Sequence, residues 1–268
     1  MRIKAKCPVS VMEARRSTEP QDVWVRIPDR VLNTLMEFFT EYNRFTTKTG
    51  VAHSNNEKRL NQRYQAIIEW NKNWIAGKRV LDIASHDGRW AFAAIKAGAT
   101  HVTCVEPREN HVTWIHENMK HYGVSNYEVA HGDIHEEIVK FEPHQFDLVF
   151  CLGFFYHTLE HAFLFRQLQR LKPEGMIFDT AVAQGDNSVI ILKWESADSG
   201  LCAYSDKMPN CLVGWPSQKA LEEMFIAYGF GTVDYFDWSV IDNPPPEYIF
   251  KSRVKRLTLR TRREIKVR

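Results

Sequence analysis

The chain has 268 residues, a length for one large domain or a domain with an appendage, since single cores stop growing near roughly 250–300 residues. With 44% hydrophobic and 25% charged residues, its composition is that of ordinary globular proteins and excludes disordered, collagen-like and disulfide-scaffold classes. Its formal charge of +2, from 35 basic and 33 acidic residues, is too small to demand nucleic acid or an anionic membrane as partner.

Residues 1–28 are polar and mixed, with Pro8, Pro20 and Pro28 interrupting any long pattern, and read as a loose arm. Their opening, MRIKAKCPVSVMEARR, lacks an apolar stretch long enough for a signal peptide, and no run in the chain approaches the ~20 residues that span a bilayer. The five cysteines (Cys7, Cys104, Cys151, Cys202 and Cys211) contain no CxxC pair, so neither a disulfide framework nor a structural zinc site is expected. Together these features predict a cytoplasmic protein without a membrane contact. Asp29 is a candidate N-cap for a helix reaching about Asn43, with Val31, Leu32, Leu35, Met36, Phe38 and Phe39 at helical spacing. A second helix carries Leu60, Tyr64, Ile67, Ile68 and Trp74 and stops at Gly77. Residues 1–76 are therefore an arm with a helical cap.

From Lys78 the pattern changes. Short β-branched runs at 79–84, 101–106, 127–133, 146–152, 176–182, 232–238 and 253–261 alternate with helical patterns at 89–97, 109–122, 160–171 and 217–229. Such alternation predicts a seven-stranded, mostly parallel α/β sheet with helices on both faces. The last two strands follow each other around Pro244-Pro245-Pro246 and predict a late antiparallel pair. The stretch at about 184–216 is too long for a simple connection and reads as a lid or binding loop inserted in the domain 77–268.

In open α/β sheets ligands gather at the carboxyl ends of the strands. The first of these loops is VLDIASHDGRWAF, with Asp82 an acid inside an apolar strand and Gly88 opening the helix that takes in Trp90. A buried acid calls for donors or a cationic ligand. The second strand ends in Glu106, 18 residues after Gly88, near the ~20 at which an acid reaches ribose hydroxyls. Asp133 and Ile134 follow the third strand, one suited to an exocyclic amine and the other to a purine face.

These residues resemble the cofactor site of the class I S-adenosylmethionine-dependent methyltransferases, over about Gly77 to Thr261. The resemblance implies a Rossmann-like fold and S-adenosyl-L-methionine as cofactor. It implies that Asp82 and the loop Ala84, Ser85, His86 and Gly88 hold the methionine side, Glu106 the ribose, and Asp133 with Ile134 the adenine, with Trp90 and Leu152 also at the cofactor. Ala84 and His86 depart from the pattern, since they stand where the family has its first two glycines. The turn that a dinucleotide pyrophosphate needs is absent.

The acceptor is expected beyond the fourth strand, FDLVFCLGFFYHTLEH. Its aromatic run ends in Tyr156 and His157, and a histidine of ordinary pKa ~6.5 suits a general base near neutral pH. His157 with Tyr156 is thus the expected catalytic pair, for an acceptor hydroxyl. His157 and His161 are also spaced i, i+4. A divalent metal with Glu160 or Asp179 stays possible on that spacing, but no HExxH or facial triad supports it, and no metal ligand is assigned. Candidate acceptor contacts are His53, Arg59, Arg63, Tyr64, Phe155, His161, Trp194 and Trp215, with Glu195 beside Trp194 in the lid. Aromatic faces mixed with polar groups suit a saccharide or another small polyhydroxylated acceptor.

Gly153 to His157 is also similar to the Gly-x-x-Tyr-His segment of the tRNA wobble-uridine modifying methyltransferases, and the loop Ala84 to Gly88 to bacterial methyltransferases of saccharides. For a nucleic acid, the support is the basic C-terminal KSRVKRLTLRTRREIKVR, which reads more simply as a strand with solvated cations. A cofactor-binding partner protein without turnover is a third reading. The first helical segment suits a homodimer contact as well as a lid.

Overall fold

The structure is a computed structural model that describes residues 3–5, 23–25, 38–47, 56–196, 210–249 and 255–263. Apolar residues at successive strand positions need cover on both faces, and of the five parallel strands β3 (Arg79–Ile83), β4 (His101–Glu106), β6 (Leu148–Leu152) and β7 (Gly175–Val182) obtain it, while β5 (Tyr127–His131) lies part-exposed at the edge. Val80, Val102, Phe150 and Ile177 pack on one side, with Phe39, Phe45, Leu60 and Phe92. Leu81, Val105, Val149 and Phe178 pack on the other, with Phe165, Leu168 and Phe225. Helices Arg89–Lys96 and Glu109–His121 supply part of the first side, and His161–Leu171 and Gln218–Ala227 part of the second.

β10 (Phe230–Tyr235) and β11 (Lys255–Arg263) complete the sheet, each antiparallel to its neighbour, in the order β10-β11-β7-β6-β3-β4-β5. All seven expected strands are present, and so is the late antiparallel pair. The chain leaves β3 toward β4 and β5, then returns to β6 on the other flank of β3. The reversal opens a crevice where the loops after β3 and β6 stand side by side.

Several elements differ from expectation. The second cap helix spans Glu57–Ile67 and then breaks, followed by a single 3-10 turn at Glu69–Asn71 and a short helix at Lys72–Ile75. Asn71 causes the break: its side-chain amide donates to the carbonyls of Ala66 and Ile67 at 3.3 and 2.9 Å, closing the helix end. Of the first predicted helix, residues 29–37 lie outside the described residues, and the rest forms two short turns at Phe38–Glu41 and Arg44–Thr47. Within the expected loose arm, β1 (Ile3–Ala5) pairs with β2 (Val23–Val25). The expected loop at 184–216 contains an antiparallel hairpin, β8 (Ile190–Ser196) and β9 (Asn210–Pro216). Cys211 on β9 belongs to a disulfide whose other half lies outside the described residues, a bridge the cysteine spacing did not suggest. Cys104 and Cys151 are buried free thiols. No described helix is long and apolar enough to cross a membrane.

Candidate active site

The loop from β3 into helix Arg89–Lys96 turns through three residues of positive φ: Ala84 (55°), His86 (55°) and Gly88 (77°). Two of these are not glycines, so the loop holds the left-handed conformation at a steric cost of roughly 1–2 kcal/mol per residue. Ala84 and His86 therefore keep the backbone form that glycines would adopt freely. At Gly88 a Cβ would stand 3.3 Å from Ile115, so this glycine serves both the turn and the packing of the two helices.

Asp82 is buried beneath this loop, and its Oδ2 has no hydrogen-bond partner. Burial, reinforced by the neighbouring Glu106 and Asp87 charges, pushes its pKa up to about 8. Asp87 behaves oppositely. Burial raises its pKa, but the Arg89 guanidinium, bound to both its oxygens at 2.7 Å, holds it far below the carboxylate range. The Asn118 side-chain amide donates to the Asp87 carbonyl at 2.9 Å, tying the loop to helix Glu109–His121.

Glu106 ends β4 with its carboxylate already oriented. The His86 amide donates to Oε2 at 2.8 Å, while the Arg108 amide donates to Oε1 at 3.1 Å and His111 Nδ1 lies 3.1 Å from the same oxygen. The rings of His86, His111 and Trp114 pack beside it, with centroids 4.3 and 5.0 Å apart. Asp133 caps the short helix Ile134–Glu137, its Oδ1 accepting from the His135 amide at 2.8 Å. Ile134 is buried beside it, and Leu152 ends β6 next to the crevice. The unpartnered acid, the strained loop and the oriented carboxylate fit a small ligand carrying a cation and a diol.

On the β6 side, Gly153 leads into a single 3-10 turn, Phe155–His157. His157 is 6% exposed, and its Nδ1 lies 2.5 Å from Oε2 of Glu195 on β8. Tyr156 packs on His157 and against Trp215, with ring centroids 4.0 and 5.2 Å apart, and its hydroxyl accepts from Arg256 Nη1 at 3.0 Å.

Behind Tyr156 lies a buried ion cluster. Asp179 on β7 receives Arg63 at 3.2 Å, Arg256, the Tyr248 hydroxyl at 2.7 Å and the Thr258 hydroxyl at 3.0 Å. Burial raises its pKa, but Arg63 and Arg256 outweigh that and hold the carboxyl well below the usual range. Arg59 pairs with Glu247 at 2.9 Å.

The structure thus brings His157, Tyr156, Trp215 and Arg63 to one end of the sheet. Other expected site residues have packing roles instead. Tyr64 stacks on Phe38 at 4.2 Å and donates to Glu69, leaving no face for an acceptor. Phe155 is wholly buried among Phe165, Phe178 and His161. His161 is also buried, and its Nε2 lies 2.9 Å from the Phe155 carbonyl, so it does not join His157 as a metal ligand. Burial pushes its pKa down. Trp90 lies in the core against Phe39, with the Arg63 guanidinium over its ring at 5.0 Å. Trp194 is 73% exposed on β8. His53 lies outside the described residues. Among the described residues no group of three or more His, Cys, Asp or Glu side chains is placed to hold a metal.

Sequence reading missed Tyr248, Arg256, Asp87 and His111, and gave Asp179 and Glu195 only incidental roles. Asp179 carried the same signal as Asp82, an acid inside an apolar strand. Glu195 carried none, because its partner is 38 residues away.

Residues 80–175 match the family described as a methyltransferase domain. These residues carry a methyltransferase domain. A ubiquinone biosynthesis O-methyltransferase of Neisseria meningitidis is 28% identical to the domain over 121 residues, 44% of this chain and 50% of that protein. A tRNA U34 carboxymethyltransferase of Chromohalobacter salexigens is 26% identical over 186 residues, 63% of this chain and 52% of that protein. The chain spans about half the length of these curated relatives. The methyltransferase domain shares its fold with the N-terminal domain of EvdMO1, solved with SAH bound and in the presence of SAH and D-fucose; both structures have a TM-score of 0.60 and cover 89% of this chain and 98% of that one, at 15% and 16% identity.

Proposed function

We infer that this chain moves a methyl group from S-adenosylmethionine to a hydroxyl of a small polyhydroxylated or saccharide acceptor, with His157 taking the hydroxyl proton. The observation that carries the reading is the crevice between the loops after β3 and β6. Asp82 and Glu106 stand on one side, and His157 with Tyr156 on the other. When bound, the cofactor supplies an electrophilic methyl on a sulfonium.

The geometry supports the cofactor roles of Asp82 and Glu106. Asp82 has an unpartnered oxygen for the methionine ammonium, and Glu106 is held by two backbone amides so that its remaining lone pairs can accept from the ribose hydroxyls. Asp133 and Ile134 are assigned to the adenine side, and Leu152 to the cofactor without a defined part. On the acceptor side, Trp215 and Tyr156 offer ring faces to the C–H surface of a sugar while His157 addresses a hydroxyl. The fold shared with a domain crystallised in the presence of D-fucose supports this acceptor class.

A second reading, modification of a tRNA wobble uridine, is favoured by the match to U34 carboxymethyltransferases and the Gly153-to-His157 segment. Against it, three of the four arginines of the basic strand β11 are engaged. Arg256 is buried on Asp179, Arg260 pairs with Asp234 at 3.2 Å, and Arg262 lies over Trp74 at 4.6 Å.

Calorimetric titration of the full chain with S-adenosylmethionine and S-adenosylhomocysteine, beside Asp82→Ala, tests the cofactor reading. Micromolar binding lost in the variant is expected; no binding of either ligand ends the enzyme reading. Methyl uptake from labelled cofactor into saccharides, small hydroxylated metabolites and tRNA then separates the acceptors. Steep loss of tRNA binding with added salt would favour the second reading.

A further inference from the structure

Glu195 reaches His157 from the β8–β9 hairpin, an element that lies outside the seven-stranded sheet. Both side chains are nearly buried, 8% and 12% exposed. A carboxylate accepts hydrogen bonds and does not donate them, so the 2.5 Å contact places the imidazole proton on Nδ1. The opposite nitrogen, Nε2, has no hydrogen-bond partner among the described residues and is not among the fully buried unpaired atoms. The ring is further held by Tyr156, whose own hydroxyl is fixed by Arg256.

We propose that Glu195 is a positioning residue for His157. It holds the proton on Nδ1 and presents Nε2 as the atom that takes the acceptor's proton. The proposal rests on the methyltransferase reading above and adds to it the atom that acts and the residue that orients it. In the step it serves, the acceptor oxygen forms a bond to the methyl carbon, the carbon–sulfur pair returns to sulfur to leave a neutral thioether, and the hydroxyl proton passes to Nε2. The imidazolium so formed carries one positive charge, and the Glu195 carboxylate beside Nδ1 balances it. The hairpin is thereby more than a cover for the acceptor, because without β8 the histidine has no orienting partner.

The test is long-range proton–nitrogen NMR on the full chain labelled with 15N-histidine, recorded with and without S-adenosylhomocysteine. His157 is assigned by the signals missing from His157→Gln. The neutral ring is expected to show a protonated Nδ1 and a bare Nε2 in the wild type. Glu195→Gln, whose amide oxygen still accepts, keeps that pattern; Glu195→Ala loses it. With an acceptor found by the methyl-uptake screen, Glu195→Ala is expected to lower kcat by about 10–100-fold, the usual scale for removing an orienting partner, with an unchanged KM for the cofactor. A wild-type proton on Nε2, an unaltered pattern in Glu195→Ala, or a loss confined to KM overturns the proposal. Because the spectra are also read without ligand, a chain that binds no cofactor, which ends the methyltransferase reading, still reports separately on the pair.

Discussion

Asp82 sets the proton balance of the cofactor side. Its pKa of about 8 lies above the ~3.9 of an unfolded aspartate, so the folded chain holds a proton that the unfolded chain has released. The Asp82 contribution to stability is therefore greatest below pH ~4 and declines as pH rises toward 8. In chemical denaturation at pH 5 and pH 8 the change in stability of the wild type is expected to be more unfavourable than that of Asp82→Asn, whose side chain does not titrate. A ligand ammonium beside Oδ2 favours the ionised form, so binding should release a proton and strengthen as pH rises from 6 to 8. Calorimetry in buffers of different ionisation enthalpy reads that release, and Asp82→Asn should abolish it.

The turn between β3 and helix Arg89–Lys96 stores strain where the cofactor is expected, and its three left-handed residues have different replacement costs. Ala84→Gly relieves the Cβ clash and is expected to stabilise the chain by up to ~1 kcal/mol, less the added freedom of the unfolded glycine. Gly88→Ala does the reverse. A Cβ at φ +77° and 3.3 Å from Ile115 should cost about 1–2 kcal/mol, a fall in Tm of roughly 2–4 °C for each kcal/mol. Differential scanning calorimetry of the two variants checks both signs. The β8–β9 hairpin acts at the same scale, since one strand brings Glu195 to His157 and the other brings Trp215 to Tyr156.

The Asp179 cluster ties the molecule together across sequence. Arg63 comes from the N-terminal cap, Asp179 from mid-sheet, Tyr248 from the segment before β11, and Arg256 from β11 itself. Asp179→Asn leaves two buried guanidiniums without their carboxylate and should cost about 3–5 kcal/mol in denaturant unfolding. The Asp179 pKa is depressed in the fold, so its contribution is present above the unfolded value near ~4 and is lost only as pH falls below it. Between pH 5 and 8 Asp82 and Asp179 therefore differ: Asp82 gives a slope and Asp179 gives none.

Sequence alone determined the layered α/β fold, because runs such as 148–152 and 176–178 are apolar on both faces and alternate with amphipathic helices. It also singled out Asp82, Glu106 and His157 as candidates, since acids inside apolar strands and polar groups at strand ends stand out against a local pattern. Only the tertiary structure decided which aromatics stand beside the crevice and which fill the core. Phe155 and Tyr156 are neighbours of one chemical type, yet the 3-10 turn sends the first into the core and leaves the second beside Arg256. It alone joined Glu195 to His157 and Arg256 to Asp179, partners 38 and 77 residues apart. A charge pair made across such a distance leaves no periodic trace in the chain, because neither helix nor strand spacing fixes its members.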